Sequence, residues 1–438
     1  VNWLIHNSAQ LRGSVFMPGD KSISHRALLH AALAQGTSRI ENFLQAGVTE
    51  AMMRCVRDLG VGIEVEPPGR STTSGRLIVH GGQLRSPTAN LDCGNSGATI
   101  RMLMGALAGQ RDLVVTLDGS AGLRRRPMKR VAEPLCLMGA DLGDTPPLSI
   151  RGRSLHGVEY TMPVASAQVK AAILFAALQA DGPTIIHEPG PSRDHSERLL
   201  RSLGVSVVNE YNTVKLTPPH RPLAAFQATV PGDISSAAFV FAAAALVPGS
   251  EVTVTNVGVN ATRTGILDAL AAMGGDVAIS NVREVNGEPI ADITVKSSEL
   301  RGITVDGDLV VRMIDEFPIF AVLASQAQGE TIVREAEELR VKESDRIGSL
   351  ASELRQLGVQ IEERPDGFVI AGPTQLKGAV VDSHGDHRLA MSLAVAGLIA
   401  DGETTVTRAE AYRESFSSFV KLLRGLGGTV HESHEQHE

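Results

Sequence analysis

Apolar and polar positions follow one order along the chain, repeated six times. Each copy opens with an Ala/Leu-rich helix that runs into a glycine turn, at 27–36, 100–109, 169–182, 237–249, 319–329 and 389–402. A β-branched run follows, as in Thr184-Ile185-Ile186, Val252-Thr253-Val254-Thr255 and Thr404-Thr405-Val406-Thr407, and reads as a strand. An amphipathic helix comes next and stops at Leu59-Gly60, Met138-Gly139, Leu203-Gly204, Met273-Gly274, Leu357-Gly358 or Leu426-Gly427. Strands at 61–65, 205–208 and 359–362 then lead to others such as Arg76-Leu77-Ile78-Val79 and Phe368-Val369-Ile370. The module is therefore βαβαββ, roughly seventy residues long. The last copy lacks its final strand, and Trp3-Leu4-Ile5-His6 echoes Leu77-Ile78-Val79-His80, so the N-terminal strand is expected to complete it.

Two turns divide this pattern. Pro18-Gly19-Asp20 recurs as Pro231-Gly232-Asp233, with three Ala-rich helices between the pair and three after the second turn. The expectation is two three-module domains, 21–231 and 1–20 plus 232–438, with paired crossings at 18–21 and 230–233 that act as a hinge. An open solenoid is the alternative that a repeat pattern also allows.

Composition narrows the function. The 438 residues are 43% hydrophobic and 21% charged, which suits a soluble chain of two domains. A net charge of −8 and 3% aromatic content exclude nucleic acid and anionic membrane as partners. An anionic ligand then needs a local basic cluster. Cys55, Cys93 and Cys136 have no metal-ligand spacing and fit a reducing cytosol. No basic-then-apolar leader opens the sequence, and the longest apolar run, 237–247, is too short to span a bilayer. A cytoplasmic chain is expected.

Polar side chains gather where the Ala-rich helices begin: Lys21-Ser22-Ile23-Ser24-His25-Arg26, Asn95-Ser96-Gly97-Ala98-Thr99-Ile100-Arg101, Ser166-Ala167-Gln168-Val169-Lys170, Asp315-Glu316 and Asp386-His387-Arg388. Any one of these is ordinary capping. Several helix N-termini aimed at one place, with Lys21, Arg26, Arg101 and Arg388 beside them, make a field for a multiply charged anion. A second basic set is placed on the second helices: Arg124-Arg125-Arg126-Pro127, Arg193-Asp194-His195, and 340–346. The last of these reads as a solvated helix face with ion pairs or as an acid/base pair, Lys342 and Glu343, beside the anion clamp Arg346. Gly19-Asp20-Lys21-Ser22 fails as a P-loop, and neither a zinc signature nor a nucleophile elbow is present. His431, His434 and His437 read as a frayed polar terminus rather than a metal site.

At 18–26, 91–101, 124–130, 165–170, 313–318, 339–346 and 386–392 the sequence resembles the enolpyruvyl transferases, and among them the branch acting on shikimate-3-phosphate. The resemblance implies an α+β fold of α/β-prism type, a two-domain inverse α/β barrel of six βαβαββ modules closing over its substrates. It implies that Ser22 and Arg26 hold the shikimate carboxylate and that Ser166, Ala167 (by its backbone), Gln168 and Arg193 take the phosphate side. Asp315 and Lys342 would contact the hydroxyls. Lys21, Asn95, Gly97, Arg126, Gln168, Arg346 and Arg388 would hold phosphoenolpyruvate. Lys21, which also belongs to the shikimate-3-phosphate set, joins Asp315 and Glu343 as the proton-transfer set, with acid and base left unassigned.

The implied reaction is addition of the 5-hydroxyl to phosphoenolpyruvate followed by elimination of phosphate, in a monomer with no cofactor and no metal, on the route to aromatic amino acids. Glyphosate, which mimics phosphoenolpyruvate in this family, is expected to compete in a pocket where Gly97 leaves room. Two departures stand out. Some members carry a Lys where this chain has Tyr412-Arg413-Glu414-Ser415-Phe416, and 119–123 lacks the Cys of the cousin that acts on UDP-N-acetylglucosamine. That cousin is one alternative. A silent anion-binding repeat protein is another, and it would not need Asp315, Lys342 and Glu343 together.

Overall fold

Glycine sets the rhythm of the chain. Gly60, Gly139, Gly204, Gly274, Gly358 and Gly427, each closing an amphipathic helix, have φ between 81° and 107°. Only a residue without Cβ adopts that conformation cheaply, so the helix stops there and the chain turns back into a strand. The computed structural model describes residues 1–67 and 74–433.

Each module folds into a four-stranded sheet, and six such sheets are present among the described residues. In one, Glu159–Thr161 lies parallel to Thr184–His187, which pairs antiparallel with Thr213–Thr217, which pairs antiparallel with Ser206–Glu210. Helix Ala167–Ala177 connects the first two strands, and His195–Ser202 leads into Ser206–Glu210. The parallel pair requires a crossover, and the Ala-rich helix supplies it.

The N-terminal strand Asn2–Ile5 completes the last sheet. Trp3 pairs with Val406 on one side and Leu4 with His431 on the other. His431 is thus a strand residue and not part of a frayed end, while His434 and His437 lie outside the described residues. Trp3 is fully buried, with its ring edge-on to Tyr412 at 4.9 Å between centroids. Truncating it to Ala would cost about 3–5 kcal/mol.

The chain divides into two compact units. The terminal unit comprises 1–17, 232–283 and 289–438; the middle unit comprises 18–231 and 284–288. The strands beside the Pro-Gly-Asp turns are exchanged in sequence. Arg12–Phe16, before the first turn, lies parallel to Glu251–Gly258 of the terminal unit, and Gln227–Thr229, before the second, lies parallel to Gly36–Phe43 of the middle unit. The chain therefore changes unit at each turn.

Helices fill the inside of each unit and sheets form its wall. Every residue of Ile234–Leu246 but the last is buried. In the terminal unit that helix packs against Phe317–Gln326 and His387–Gly397, which also pack on each other. In the middle unit Gly97–Ala108 packs on Ala167–Ala177 so tightly that a Cβ on Gly105 would overlap the Ala172 carbonyl. Small side chains permit this approach and apolar ones hold it, which is why these helices are alanine-rich. Each unit has its own apolar core. Among the described residues no helix is long and apolar enough to cross a membrane.

Candidate active site

The sequence-identified side chains fall into two groups, one in each unit. In the middle unit, Asp20 caps helix Lys21–Leu33 by accepting from Ile23 N at 2.9 Å, which puts Lys21 and Ser22 in the first turn. Arg26, one turn on and 2% exposed, donates to Ser22 O (2.9 Å), Ser196 Oγ (2.7 Å) and Ala167 O (3.3 Å). Arg193 Nη1 donates to Ser22 Oγ at 3.4 Å. Ser22, Arg26, Ala167 and Arg193 are thereby brought together. His25 Nδ1 lies 2.8 Å from Lys21 O and Nε2 3.2 Å from Val48 O, whichever ring nitrogen carries the proton donating to its carbonyl, and burial pushes the imidazole down to about 4. It is neutral near pH 7 and adds no charge beside Lys21.

Ser96 and Ser166 cap the other two Ala-rich helices of this unit, accepting from Thr99 N at 3.2 Å and Val169 N at 3.5 Å. Gln168 in the first turn of the second accepts from Arg101, whose other nitrogen donates to Pro127 O at 3.2 Å. Arg126 stands against Gly97: a Cβ there would lie 2.8 Å from its Nη1. The room that glycine leaves at position 97 borders on that guanidinium. Asn95 Oδ1 accepts from Ser120 Oγ at 3.0 Å, and Ser120 lies in the segment where the cousin enzyme carries its Cys. Arg124 is a structural residue, its guanidinium bonded to both oxygens of Asp118 at 2.8 and 2.6 Å.

In the terminal unit the group centres on Arg346, which is 1% exposed. Its guanidinium donates to Asp386 Oδ2 (2.8 Å), Glu343 Oε2 (2.8 Å) and Asp315 Oδ1 (3.4 Å). Arg388 lies 3.8 Å from Asp315 Oδ2 and 4.0 Å from Glu316 Oε1. Burial pushes Lys342 down to about 8, against the opposing pull of Asp315 and Glu343. Burial would raise the Asp386 carboxyl, but Arg346 overrides it and holds Asp386 below the usual range.

The basic runs are not continuous helix faces: Arg124 ends the short helix Ala121–Arg124, and Arg125 and Arg126 lie beyond it. Arg340 lies in the 3-10 turn Glu337–Val341 and pairs with Asp345 (2.8 Å) and Glu363 (3.0 Å), while 342–344 are outside any helix. Arg346 is the first residue of Arg346–Gln356, and Arg126 and Arg193 precede the helices that follow them. A cation at a helix N-terminus opposes the macrodipole. Asp345, which caps that helix through Ile347 N and Gly348 N, and the three carboxylates around Arg346 offset this.

The sequence marks Asp386 only as a cap residue, Arg101 as one of the cations beside the caps, and Glu316 only as Asp315's neighbour. Asp386 is both the N-cap of helix His387–Gly397, accepting from Arg388 N at 2.9 Å, and the main counter-ion of Arg346. The Asp-His-Arg pattern signals the cap and not the counter-ion role. Arg413 leans over the Tyr412 ring at 5.7 Å. Among the described residues no group of three or more His, Cys, Asp or Glu is disposed to hold a metal.

Each group can do a distinct kind of chemistry. The middle-unit group offers helix N-termini and guanidinium donors to an anion, and the terminal-unit group offers carboxylates and a lysine of lowered pKa for proton transfer. The chain is similar to known proteins along nearly its whole length. A 3-phosphoshikimate 1-carboxyvinyltransferase of Thermodesulfovibrio yellowstonii is 48% identical over 435 residues, covering 97% of this chain and 100% of the relative. Another, from Brevibacillus brevis, is 48% identical over 424 residues, covering 96% of this chain and 98% of the relative. A solved structure of EPSP synthase from Acinetobacter baumannii superposes with a TM-score of 0.87 at 40% identity, covering 99% of this chain and 100% of that one. The family model for EPSP synthase (3-phosphoshikimate 1-carboxyvinyltransferase) matches residues 5–423, a span that includes every side chain of both groups. The chain belongs to the EPSP synthase family.

Proposed function

We propose that the chain transfers the enolpyruvyl group of phosphoenolpyruvate to the 5-hydroxyl of shikimate-3-phosphate and releases phosphate. The observation that carries this reading is the cluster in which the buried Arg346 holds Asp315 and Glu343 beside a Lys342 lowered to about 8. Proton carriers fixed on a permanent cation suit a reaction in which a carbon gains and then loses a proton.

Shikimate-3-phosphate is held by Lys21, Ser22, Arg26, Ser166, Ala167, Gln168 and Arg193, with Asp315 and Lys342 on its hydroxyls. Phosphoenolpyruvate is held by Lys21, Asn95, Gly97, Arg126, Gln168, Arg346 and Arg388. A general acid protonates the methylene carbon, a base takes the 5-hydroxyl proton, and the oxygen bonds to the enol carbon. The tetrahedral ketal then loses a methyl proton as its carbon–oxygen bond to phosphate breaks. Lys21, Asp315 and Glu343 share these transfers, and the guanidinium groups stabilise the charge on the phosphate. Holding two substrates in register supplies about 7–11 kcal/mol of the barrier.

Segments 18–21 and 230–233, where the chain changes unit, serve as the hinge between the domains 21–231 and 1–20 plus 232–438. The enzyme works as a monomer in the cytoplasm; its three free cysteines suit a reducing compartment. Glyphosate competes for the phosphoenolpyruvate site. The test is phosphate release from the two substrates, run beside Lys21→Ala and Asp315→Ala. Release by the natural chain, abolished in both variants, is expected. No release by the natural chain overturns the reading.

A further inference from the structure

Lys170 is an anomaly in its helix. Ala167–Ala177 is otherwise alanine, valine, isoleucine, leucine and phenylalanine beyond its first turn, and Lys170 is 1% exposed. Burial opposes its charge, but Glu197 and Glu188 outweigh burial and hold its pKa above the usual lysine value. It is therefore a buried ammonium. Its Nζ lies 2.8 Å from Glu188 Oε2 and 2.7 Å from Glu197 Oε1, and those carboxylates are 5% and 0% exposed.

The two carboxylates flank one segment. Glu188 follows strand Thr184–His187, Glu197 is in the first turn of helix His195–Ser202, and Arg193 lies between them. Ser192, next to Arg193, donates to Glu188 Oε1. On the other side, Ser196 accepts from Arg26 at 2.7 Å and His195 Nδ1 lies 2.7 Å from Glu288 Oε1. One ammonium thus ties both ends of the Arg193 segment to the helix whose first residues, with the Ser166 cap, form the other wall of the phosphate side.

We propose that Lys170 is a positioning residue that sets the spacing between Arg193 and Ser166-Ala167-Gln168, and so determines affinity for the phosphate of the shikimate substrate. This rests on the functional reading above. A buried ion pair is weak support for stability, because well-packed apolar residues of similar volume often replace it without loss. What an ammonium between two carboxylates supplies is fixed geometry for the backbone on either side of it. An apolar side chain packs in several ways that differ by fractions of an ångström, and misplacement of a binding group by about 1 Å costs on the order of a hundredfold in rate.

The test uses the full chain with Lys170→Met, which leaves two buried carboxylates facing each other, and a second variant, Lys170→Met with Glu188→Gln and Glu197→Gln, which removes all three charges at nearly constant volume. Melting temperature, kcat and both KM values are measured, with Arg193→Ala as reference. The triple variant is expected to fold, to raise KM for shikimate-3-phosphate roughly tenfold or more as charge-assisted contacts are lost, and to raise KM for phosphoenolpyruvate by less, since Gln168 alone of the displaced residues serves both sites. An unchanged KM for shikimate-3-phosphate, an equal rise in both KM values, or loss of folded protein in both variants assigns Lys170 to stability alone and overturns the proposal. If Arg193→Ala itself leaves KM for shikimate-3-phosphate unchanged, the assignment of the phosphate site has failed instead.

Discussion

Arg26 and Arg101 of the middle unit and Arg346 of the terminal unit meet different kinds of partner. Arg26 and Arg101 of the middle unit are positioned by hydroxyl, amide and carbonyl oxygens: Ser196, Ser22 and Ala167 for one, Gln168 and Pro127 for the other. Arg346 of the terminal unit is surrounded by the carboxylates of Asp386, Glu343 and Asp315. Neutral oxygens orient a guanidinium and leave its positive field available to an arriving anion, whereas carboxylates largely cancel that field. Oriented charge suits the holding of a phosphorylated ligand. A cancelled charge suits the anchoring of carboxylates that exchange protons while the total stays balanced. On the proposed reading, then, the middle unit mainly binds and the terminal unit mainly carries out proton transfer.

The largest effect should come from a proton carrier. Glu343→Gln keeps an oxygen that can accept from Arg346 but removes the titratable group. It is expected to lower kcat about 10²- to 10⁴-fold with KM for shikimate-3-phosphate little changed, as steady-state kinetics would show. An equal rise in that KM would mean that Glu343 binds rather than transfers.

Gly97→Ala comes next. Its Cβ would stand 2.8 Å from Arg126 Nη1, and the far end of a flexible side chain can move aside. Folding should survive while Arg126 shifts. KM for phosphoenolpyruvate and the inhibition constant for glyphosate should both rise, roughly ten- to a hundredfold. Inhibition unaltered by this substitution would show that Arg126 does not serve that site.

Smaller again is a pH effect at Lys342, whose pKa is lowered from 10.5 to about 8. Activity that depends on its ammonium should decline as pH rises through about 8, and Lys342→Met should lack that limb in a kcat/KM profile. The effect on stability has the opposite sign. The folded pKa lies below the unfolded one, so the unfolded chain binds the extra proton between about 8 and 10.5, and Lys342's cost to folding is relieved over that range.

Much of the fold is legible in the sequence because its signals are local. The six terminating glycines, the helices before them and the β-branched runs after them depend on backbone conformations that each residue sets for itself. Even the N-terminal strand is found by its likeness to 77–80. What escapes is non-local. Nothing in 12–16 says that it pairs with Glu251–Gly258, and nothing in 284–288 says that this stretch belongs to the middle unit. Within the site, helix starts and charged residues are legible, because caps and clusters have sequence patterns. Their partners are not. Asp386 reads as a cap and serves also as the counter-ion of an arginine forty residues away in sequence. Gly97 reads as a position without a side chain, and its neighbour Arg126 escapes notice, because side-chain reach across a loop leaves no periodic trace.

The division of labour is tested most directly by calorimetric titration of shikimate-3-phosphate into Arg193→Ala and Glu343→Gln without phosphoenolpyruvate. Losing one charge-assisted contact, worth about 1.5–3 kcal/mol, should weaken binding to Arg193→Ala by roughly ten- to a hundredfold, while Glu343→Gln binds like the natural chain and does not turn over. The reverse pattern, with Glu343→Gln weak and Arg193→Ala unaffected, would contradict the account.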